Sequence, residues 1–247
     1  MKWYRILGLS ILLNVVLSGC AEEKKQIVVP VAGSAQHYDY YGKKAEMLQW
    51  LKTTYPKLSP NALDAFDTIA RMIFVTDVAR HRGFDDKALP IGSGQSTLKL
   101  SDIAFLITEL ALQPTDNVLE IGTGTGYFAA ILSRLVATVN TVEVLEYLYE
   151  IARQRIEALQ ITNVKFRNAD GLQGWARRAP YDVVIITAAV KTIPEAILHQ
   201  LKSQARLAVP MMDEYGDCTW VVYRWENETL TEIQRKPTRI PPAIEGE

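Results

Sequence analysis

Between Asn117 and Met211 the chain alternates strand-like and helix-like runs, and that rhythm admits few architectures. "NVLEIGT" (117–123) is a continuous apolar strand followed by a helical stretch at 127–136. "NTVEV" (140–144) is a second strand, followed by a helix at 145–160 with Leu148, Ala152, Ile156 and Leu159 on one face. "VKFRNA" (164–169), "YDVVIITAA" (181–189) and "ARLAVPM" (205–211) continue the series, with a helix at 194–202 between the last two. Strands that are apolar on both sides and separated by helices predict an α/β fold: a mostly parallel, doubly wound sheet covered on both faces. Farther on, "TWVVYRWE" (219–226) and "TLTEIQ" (229–234) flank Asn227-Glu228 and predict a β-hairpin at the sheet edge. Trp220 and Trp225 have opposite parity there, so one of them at least should pack in the core.

Ahead of the sheet, residues 41 to about 80 have a helical period: Ala45, Leu48 and Leu51, then Leu63, Phe66, Ile69, Ala70 and Ile73. Pro56 and Pro60 divide this N-terminal helical cap, and Ser59-Pro60 suits a helix start. After a glycine-rich loop at 92–97, Ser101-Asp102 is expected to cap a helix carrying Ile103, Leu106, Ile107 and Leu110.

The first twenty residues have a different character. Lys2 and Arg5 precede a short apolar run from Ile6 to Leu17, which ends in Leu17-Ser18-Gly19-Cys20. That layout is a secretory signal, too short for a confident transmembrane span. Its ending resembles a bacterial lipobox, which makes Cys20 the expected lipidation site and places the protein, membrane-attached, in the bacterial cell envelope. Without processing, the expected location is the cytoplasm. Residues 21–40, with Glu22, Glu23, Lys24 and Lys25, read as a polar tether. The formal net charge of −1 leaves no electrostatic footprint for nucleic acid. Two cysteines, Cys20 and Cys218, are too few for a disulfide framework, and Cys218 reads as a buried free thiol. His37, His81 and His199 lack metal-ligand spacing, so no metal is expected.

The strongest motif is "LEIGTGTGYFAA" (119–130). Gly122, Gly124 and Gly126 follow a strand and open a helix, where the backbone must turn tightly and admit a ligand at close range. A dinucleotide fingerprint would want its third glycine at position 127, which is Tyr127. Glu120 beside the turn would repel a pyrophosphate and suits a cationic ligand, favouring an adenosyl sulfonium over NAD. Glu143 ends the second strand, where an acid can accept from both ribose hydroxyls, and Asp170 follows the third, where it can accept from an adenine amino group.

The blocks "ALPIGSGQS", "VLEIGTGTGYFAAIL", "ADGLQGW" and "APYDVVIITAAVKTIPEAILHQLK", in this order and spacing, resemble the protein-L-isoaspartate O-methyltransferase family over about residues 62–243. The resemblance implies a Rossmann-like fold, S-adenosyl-L-methionine as cofactor, and methylation of isoaspartyl residues in damaged proteins; a monomer is expected. It makes residues 41–247 one methyltransferase domain, with 41–100 as cap and substrate loop and 101–247 as core. It assigns Glu120, Gly122, Gly124, Gly126, Glu143, Asp170 and Gly171 to cofactor binding; Trp175 follows Gly174 in a family block, where lining the pocket and packing are equally good readings.

One departure concerns catalysis. The family continues from Gly-Gln with Thr-Ile-Ser-x-Pro, and the serine is the residue usually assigned to catalysis. Here Ser96 stands at the threonine, Thr97 at the isoleucine, Leu98 at the serine and Leu100 at the proline. Ser96 and Thr97 are the remaining candidate catalytic hydroxyls. The family's Gly-Gly before the fifth strand is Gln204-Ala205, and the export signal is a third departure. Two other readings stand beside the enzyme: a membrane-tethered binding module that has lost turnover, and a methyltransferase for a small-molecule acceptor.

Overall fold

The computed structural model describes residues 39–244, so the signal segment, Cys20 and nearly all of the tether lie outside the described residues. Two helices open the fold, α1 (Tyr40–Thr54) and α2 (Pro60–Thr68). Ser59 caps α2 through its hydroxyl, which accepts from the Ala62 N–H at 3.2 Å, with Pro60 at the first helical position. The helical period over 41–80 does not persist as a regular helix beyond α2. Ile69 turns extended, and only short 3₁₀ helices form at Arg71–Phe74 and Asp77–Arg82. Arg71 explains the break, because its guanidinium is drawn out of any regular helix by carbonyls of the next loop.

Next comes a small antiparallel pair, β1 (Pro90–Gly92) and β2 (Gln95–Ser96), then α3 (Leu100–Glu109). The expected Ser101-Asp102 cap is not made: Lys99 is the N-cap residue and gives no side-chain hydrogen bond. Asp86, from the preceding loop, accepts from the Ser101 N–H at 2.8 Å instead. Asp102 is claimed elsewhere, by the Lys236 ammonium at 2.6 Å and the Thr238 hydroxyl at 3.0 Å. A tertiary ion pair of this kind outcompetes a local cap once the carboxylate is buried.

The core then runs β3 (Asn117–Ile121), α4 (Tyr127–Ser133), β4 (Thr138–Glu143), α5 (Glu146–Ala158), β5 (Val164–Asn168), β6 (Tyr181–Ile186), α6 (Glu195–Leu198), β7 (Leu201–Met212), β8 (Cys218–Glu226) and β9 (Thr229–Thr238). The seven large strands form one sheet in the order β5-β4-β3-β6-β7-β8-β9. Pairing is parallel from β5 to β7 and antiparallel across β8 and β9, so the fold is the doubly wound α/β sheet with an edge hairpin. Helix 194–202 is a correction: one turn survives, and β7 takes over from Leu201 to pair with β6, twisting through Gln204 at φ +66°. Asn227 and Glu228 both take positive φ, as a two-residue hairpin turn requires.

Alternation along each central strand feeds two cores. Val118, Val139, Val183 and Ile185 pack on one face with α2, α3 and α4, while Leu119, Ile121, Val184 and Ile186 pack on the other with Ile197 and Val209. Each such fully buried aliphatic side chain contributes about 1.5–3 kcal/mol. Trp220 is completely buried and Trp225 is not, as their opposite parity requires. The order of strands places the reversal of winding between β3 and β6, and open α/β sheets bind ligands outside the carboxyl ends of strands at that point.

Candidate active site

A cleft of about 860 Å³, counting its open mouth, lies at that reversal. Its floor is the turn after β3, Gly122 and Gly124, and one wall comes from Glu143 to Leu145 and from Asp170 to Leu172. The opposite wall is the loop from Gln95 to Lys99 together with the tail Arg239–Ile244. That tail is pinned to the sheet by Ala189, whose N–H donates to Pro241 O at 2.8 Å and whose carbonyl accepts from the Ala243 N–H at 2.9 Å.

The glycine turn is shaped by its own backbone. Gly122 sits at φ +95° and donates its N–H to Val142 O at 2.8 Å, and Gly124 sits at φ +54°. The Gly124 N–H donates to Glu143 Oε2 at 2.8 Å, and the Leu145 N–H donates to Oε1 at 3.0 Å. Burial pushes the Glu143 carboxyl up from its ordinary value, against these backbone donors, which pull it down. One lone pair on each carboxylate oxygen is thereby used, leaving acceptor capacity toward the cleft. Asp170 caps the next 3₁₀ turn, its Oδ1 accepting from the Leu172 N–H at 2.9 Å. Gly171 beside it is buried, and a Cβ there would run into Ile121.

Two of the seven residues assigned to cofactor binding are not in this cleft. Glu120 is entirely buried beneath the turn, on the face it shares with its register partner Thr141, whose hydroxyl donates to Oε2 at 2.6 Å. Its other oxygen has no partner among the described residues. Removal from water pushes the carboxyl up to about 8, so at neutral pH it presents no charge for a cationic ligand. Strand parity turns Glu120 inward, so the expectation drawn from a carboxylate beside the turn has no contact behind it among the residues that line the cleft. Gly126, at φ +91°, begins α4, and a Cβ there would press on Ala152 of α5 at 3.3 Å. It allows close helix packing and does not line the cleft.

The candidate hydroxyls separate equally clearly. The Thr97 oxygen accepts from Arg71 Nη2 at 2.6 Å and from the Leu89 N–H at 3.2 Å, which makes it part of the loop's scaffold. Leu98 reaches the cleft with apolar atoms and packs against the larger core. Ser96 is half-buried and lines the cleft, and its hydroxyl makes no hydrogen bond among the described residues. Trp175 stands away from the cleft, packed on the second core with the guanidinium of Arg178 over its ring at 5.5 Å.

Arg71 is a scaffold residue of the site that the sequence pattern does not single out. It is 2% exposed, and besides Thr97 it donates to Asp85 O, Lys87 O and Leu98 O at 2.6–2.9 Å, with Tyr127 under its plane. This fork ties the whole substrate-side loop to the cap. A lone arginine inside the apolar run Ile69–Val75 is the one signal available for it. Lys99, Thr187 and the tail from Arg239 onward are likewise unmarked in the sequence, since nothing local identifies them as cleft residues.

Comparison with known proteins agrees with this architecture. A family model for protein-L-isoaspartate(D-aspartate) O-methyltransferase (PCMT) matches residues 42–244. A protein-L-isoaspartate O-methyltransferase of Vibrio cholerae serotype O1 (strain ATCC 39541 / Classical Ogawa 395 / O395) is 39% identical over 204 residues, covering 83% of this chain and 97% of the relative. A solved protein-L-isoaspartate O-methyltransferase superposes with a TM-score of 0.73 at 29% identity, over 81% of this chain and 65% of that one. A Plasmodium falciparum structure described as a beta-aspartate methyltransferase (PCMT), in complex with S-adenosyl-L-homocysteine, has the same fold at a TM-score of 0.67 and 16% identity, covering 82% of this chain and 98% of that one. By the extent of the family match and the identity to full-length relatives, the chain belongs to the protein-L-isoaspartate(D-aspartate) O-methyltransferase family.

Proposed function

We propose that this protein methylates the free carboxylate of L-isoaspartyl residues in damaged proteins, using S-adenosyl-L-methionine. The observation that carries the reading is the cleft itself: a glycine turn open to close approach, with Glu143 and Asp170 beside it and a family match across the domain. The residues fit the cofactor. A Cβ at Gly122 would overlap the Thr187 hydroxyl, so only glycine lets the turn and Thr187 pack together where both line the cleft. The remaining lone pairs of Glu143 suit the ribose hydroxyls, Asp170 suits the adenine amino group, and Gly171 lets its 3₁₀ turn pack against Ile121 beside them. When bound, the cofactor supplies an electrophilic methyl group on a sulfonium.

The chain's own part in the reaction is to hold an acceptor that is already nucleophilic. A carboxylate with a pKa near about 4 is ionised at neutral pH, so no general base is needed. Alignment and exclusion of water remain. Ser96 is the hydroxyl free to orient the acceptor, because Thr97 is engaged by Arg71 and position 98 is leucine. In a peptide methylation assay, the wild type should modify an isoaspartyl peptide and leave its aspartyl counterpart unmodified. Ser96→Ala should lower kcat/KM roughly tenfold, the worth of one hydrogen bond to a charged group. Leu98 favours a second reading, a binding module without turnover. Binding of S-adenosyl-L-homocysteine with no transfer to any peptide would establish that one instead.

Membrane attachment forms part of the same proposal and is supported by Leu17-Ser18-Gly19-Cys20. Among the described residues no helix is long and apolar enough to cross a membrane. A palmitate analogue fed to expressing cells should label the protein, and Cys20→Ser should remove the label. An unlabelled wild type would remove the anchor from the reading.

A further inference from the structure

The cleft is electrically divided. Its charged lining consists of Lys99, Asp102, Glu143, Asp170 and Arg239. Glu143 and Asp170 lie at the ends of β4 and β5, on the wall assigned to the nucleoside. Asp102 is cancelled by Lys236 and Thr238. That leaves Lys99 and Arg239, both on the opposite wall, the first on Ser96's loop and the second on the C-terminal tail. Neither side chain makes a hydrogen bond or ion pair among the described residues. Lys99 is half-buried, so its side chain is partly withdrawn from water without any protein acceptor in exchange. Arg239 and Ser96 also line an adjoining open groove that continues to Gly216 and Asp217 on the β7–β8 turn. A polypeptide reaching the cleft from solvent has this groove to lie in.

We infer that Lys99 and Arg239 form the seat of the acceptor carboxylate, taking over the positioning that a hydroxyl at position 98 would give. The inference rests on the methyltransferase reading and deepens it. Half-buried Lys99 and exposed Arg239, unpaired cations on the lining of a site whose acceptor is an anion, complete a charge pattern: acids on the nucleoside wall, cations on the acceptor wall. Charge-assisted bonds from an ammonium and a guanidinium are stronger than one from a neutral hydroxyl, so Leu98 need not abolish binding. An ion pair also steadies the ground-state carboxylate and tempers its nucleophilicity. The gain therefore belongs in KM and not in kcat. The methionyl carboxylate of the cofactor is the other anion in the site, and it shares this chemistry.

The test compares an isoaspartyl peptide bearing its free α-carboxylate with the same peptide as the α-carboxamide. Each is titrated calorimetrically into the full chain saturated with S-adenosyl-L-homocysteine. The wild type should prefer the acid by roughly tenfold or more, the scale of a charge-assisted pair. Lys99→Met and Arg239→Met should each weaken the acid by roughly tenfold while leaving the amide unchanged, and Lys99→Arg should keep the preference. In turnover, the two methionine variants should raise KM for the peptide with kcat held within about twofold. Equal loss of acid and amide would overturn the inference by showing a structural role. Weakened S-adenosyl-L-homocysteine with undiminished acid preference would overturn it in favour of the cofactor's carboxylate. A wild type that binds both peptides alike would overturn it while leaving the methyltransferase reading intact. A wild type that binds S-adenosyl-L-homocysteine and neither peptide would overturn both.

Discussion

Gly122→Val should raise the dissociation constant for S-adenosyl-L-homocysteine by roughly a hundredfold, with the apo protein still folded. Gly122 stands at φ +95°, outside the region that a residue with a β-carbon enters readily. A Cβ there meets the Thr187 hydroxyl, whose single O–H is shared between Ile121 O at 2.9 Å and Gly122 O at 2.8 Å. The strained backbone costs about 1–2 kcal/mol. Displacing Thr187 loses this shared hydrogen bond, about 1 kcal/mol. Relief of the overlap moves the turn or Thr187, and both line the cleft. Gly124→Ala provides the contrast. At φ +54° alanine is within the small left-handed region, and its Cβ would meet only the tip of Ile91, at 3.1 Å. That variant should weaken binding roughly tenfold at most, mainly through left-handed backbone cost. Calorimetric titration reads both, and melting curves without ligand separate binding from folding. Wild-type affinity in Gly122→Val would remove this turn from the cofactor site.

The contrast between the two glycines also marks what the sequence can convey. Gly-x-Gly-x-Gly after an apolar strand announces a tight turn, and the strand–helix rhythm announces the sheet, because both depend on local period and on residues adjacent in the chain. The same local signals cannot tell which glycine faces a ligand and which faces another helix. Gly126 looks identical in sequence and serves Ala152. Helix ends depart from the local pattern wherever a distant group intervenes. Arg71 ends the cap's helical period, and Lys236, more than a hundred residues away, draws Asp102 off its cap. The cation wall is invisible in the sequence for the same reason. Lys99 and Arg239 meet across one cleft only because the chain leaving β9 returns to the loop after β2. Site residues at strand ends and Ser96 in its motif are legible; Lys99 and the tail from Arg239 onward are not.

Glu120 yields the sharpest pH dependence. Its carboxyl is fully buried and pushed up to about 8 from an ordinary 4.5, chiefly by removal from water and further by the nearby Glu143, while the Thr141 hydroxyl pulls the other way. Proton counting sets the sign. Below 4.5 the folded and unfolded chains both hold the proton. Between 4.5 and about 8 the unfolded chain releases it and the folded chain retains it, so stability falls as pH rises; above 8 the loss is complete. At full effect this is of the order of 3–5 kcal/mol. Glu120→Gln keeps the shape and removes the titration. The variant should therefore gain on the wild type steadily from about pH 5 to about pH 8 in denaturant unfolding, then hold a constant margin. A difference independent of pH would show that Glu120 is ionised in the fold. The same variant decides how the acid serves the site. A neutral carboxyl beneath the turn shapes the glycines through Thr141 and Thr123, and glutamine can replace it with S-adenosyl-L-homocysteine affinity nearly intact at neutral pH. A fixed anion drawing in a cationic ligand cannot be replaced that way, and S-adenosyl-L-methionine, which carries the sulfonium, would then lose far more affinity than S-adenosyl-L-homocysteine, which does not.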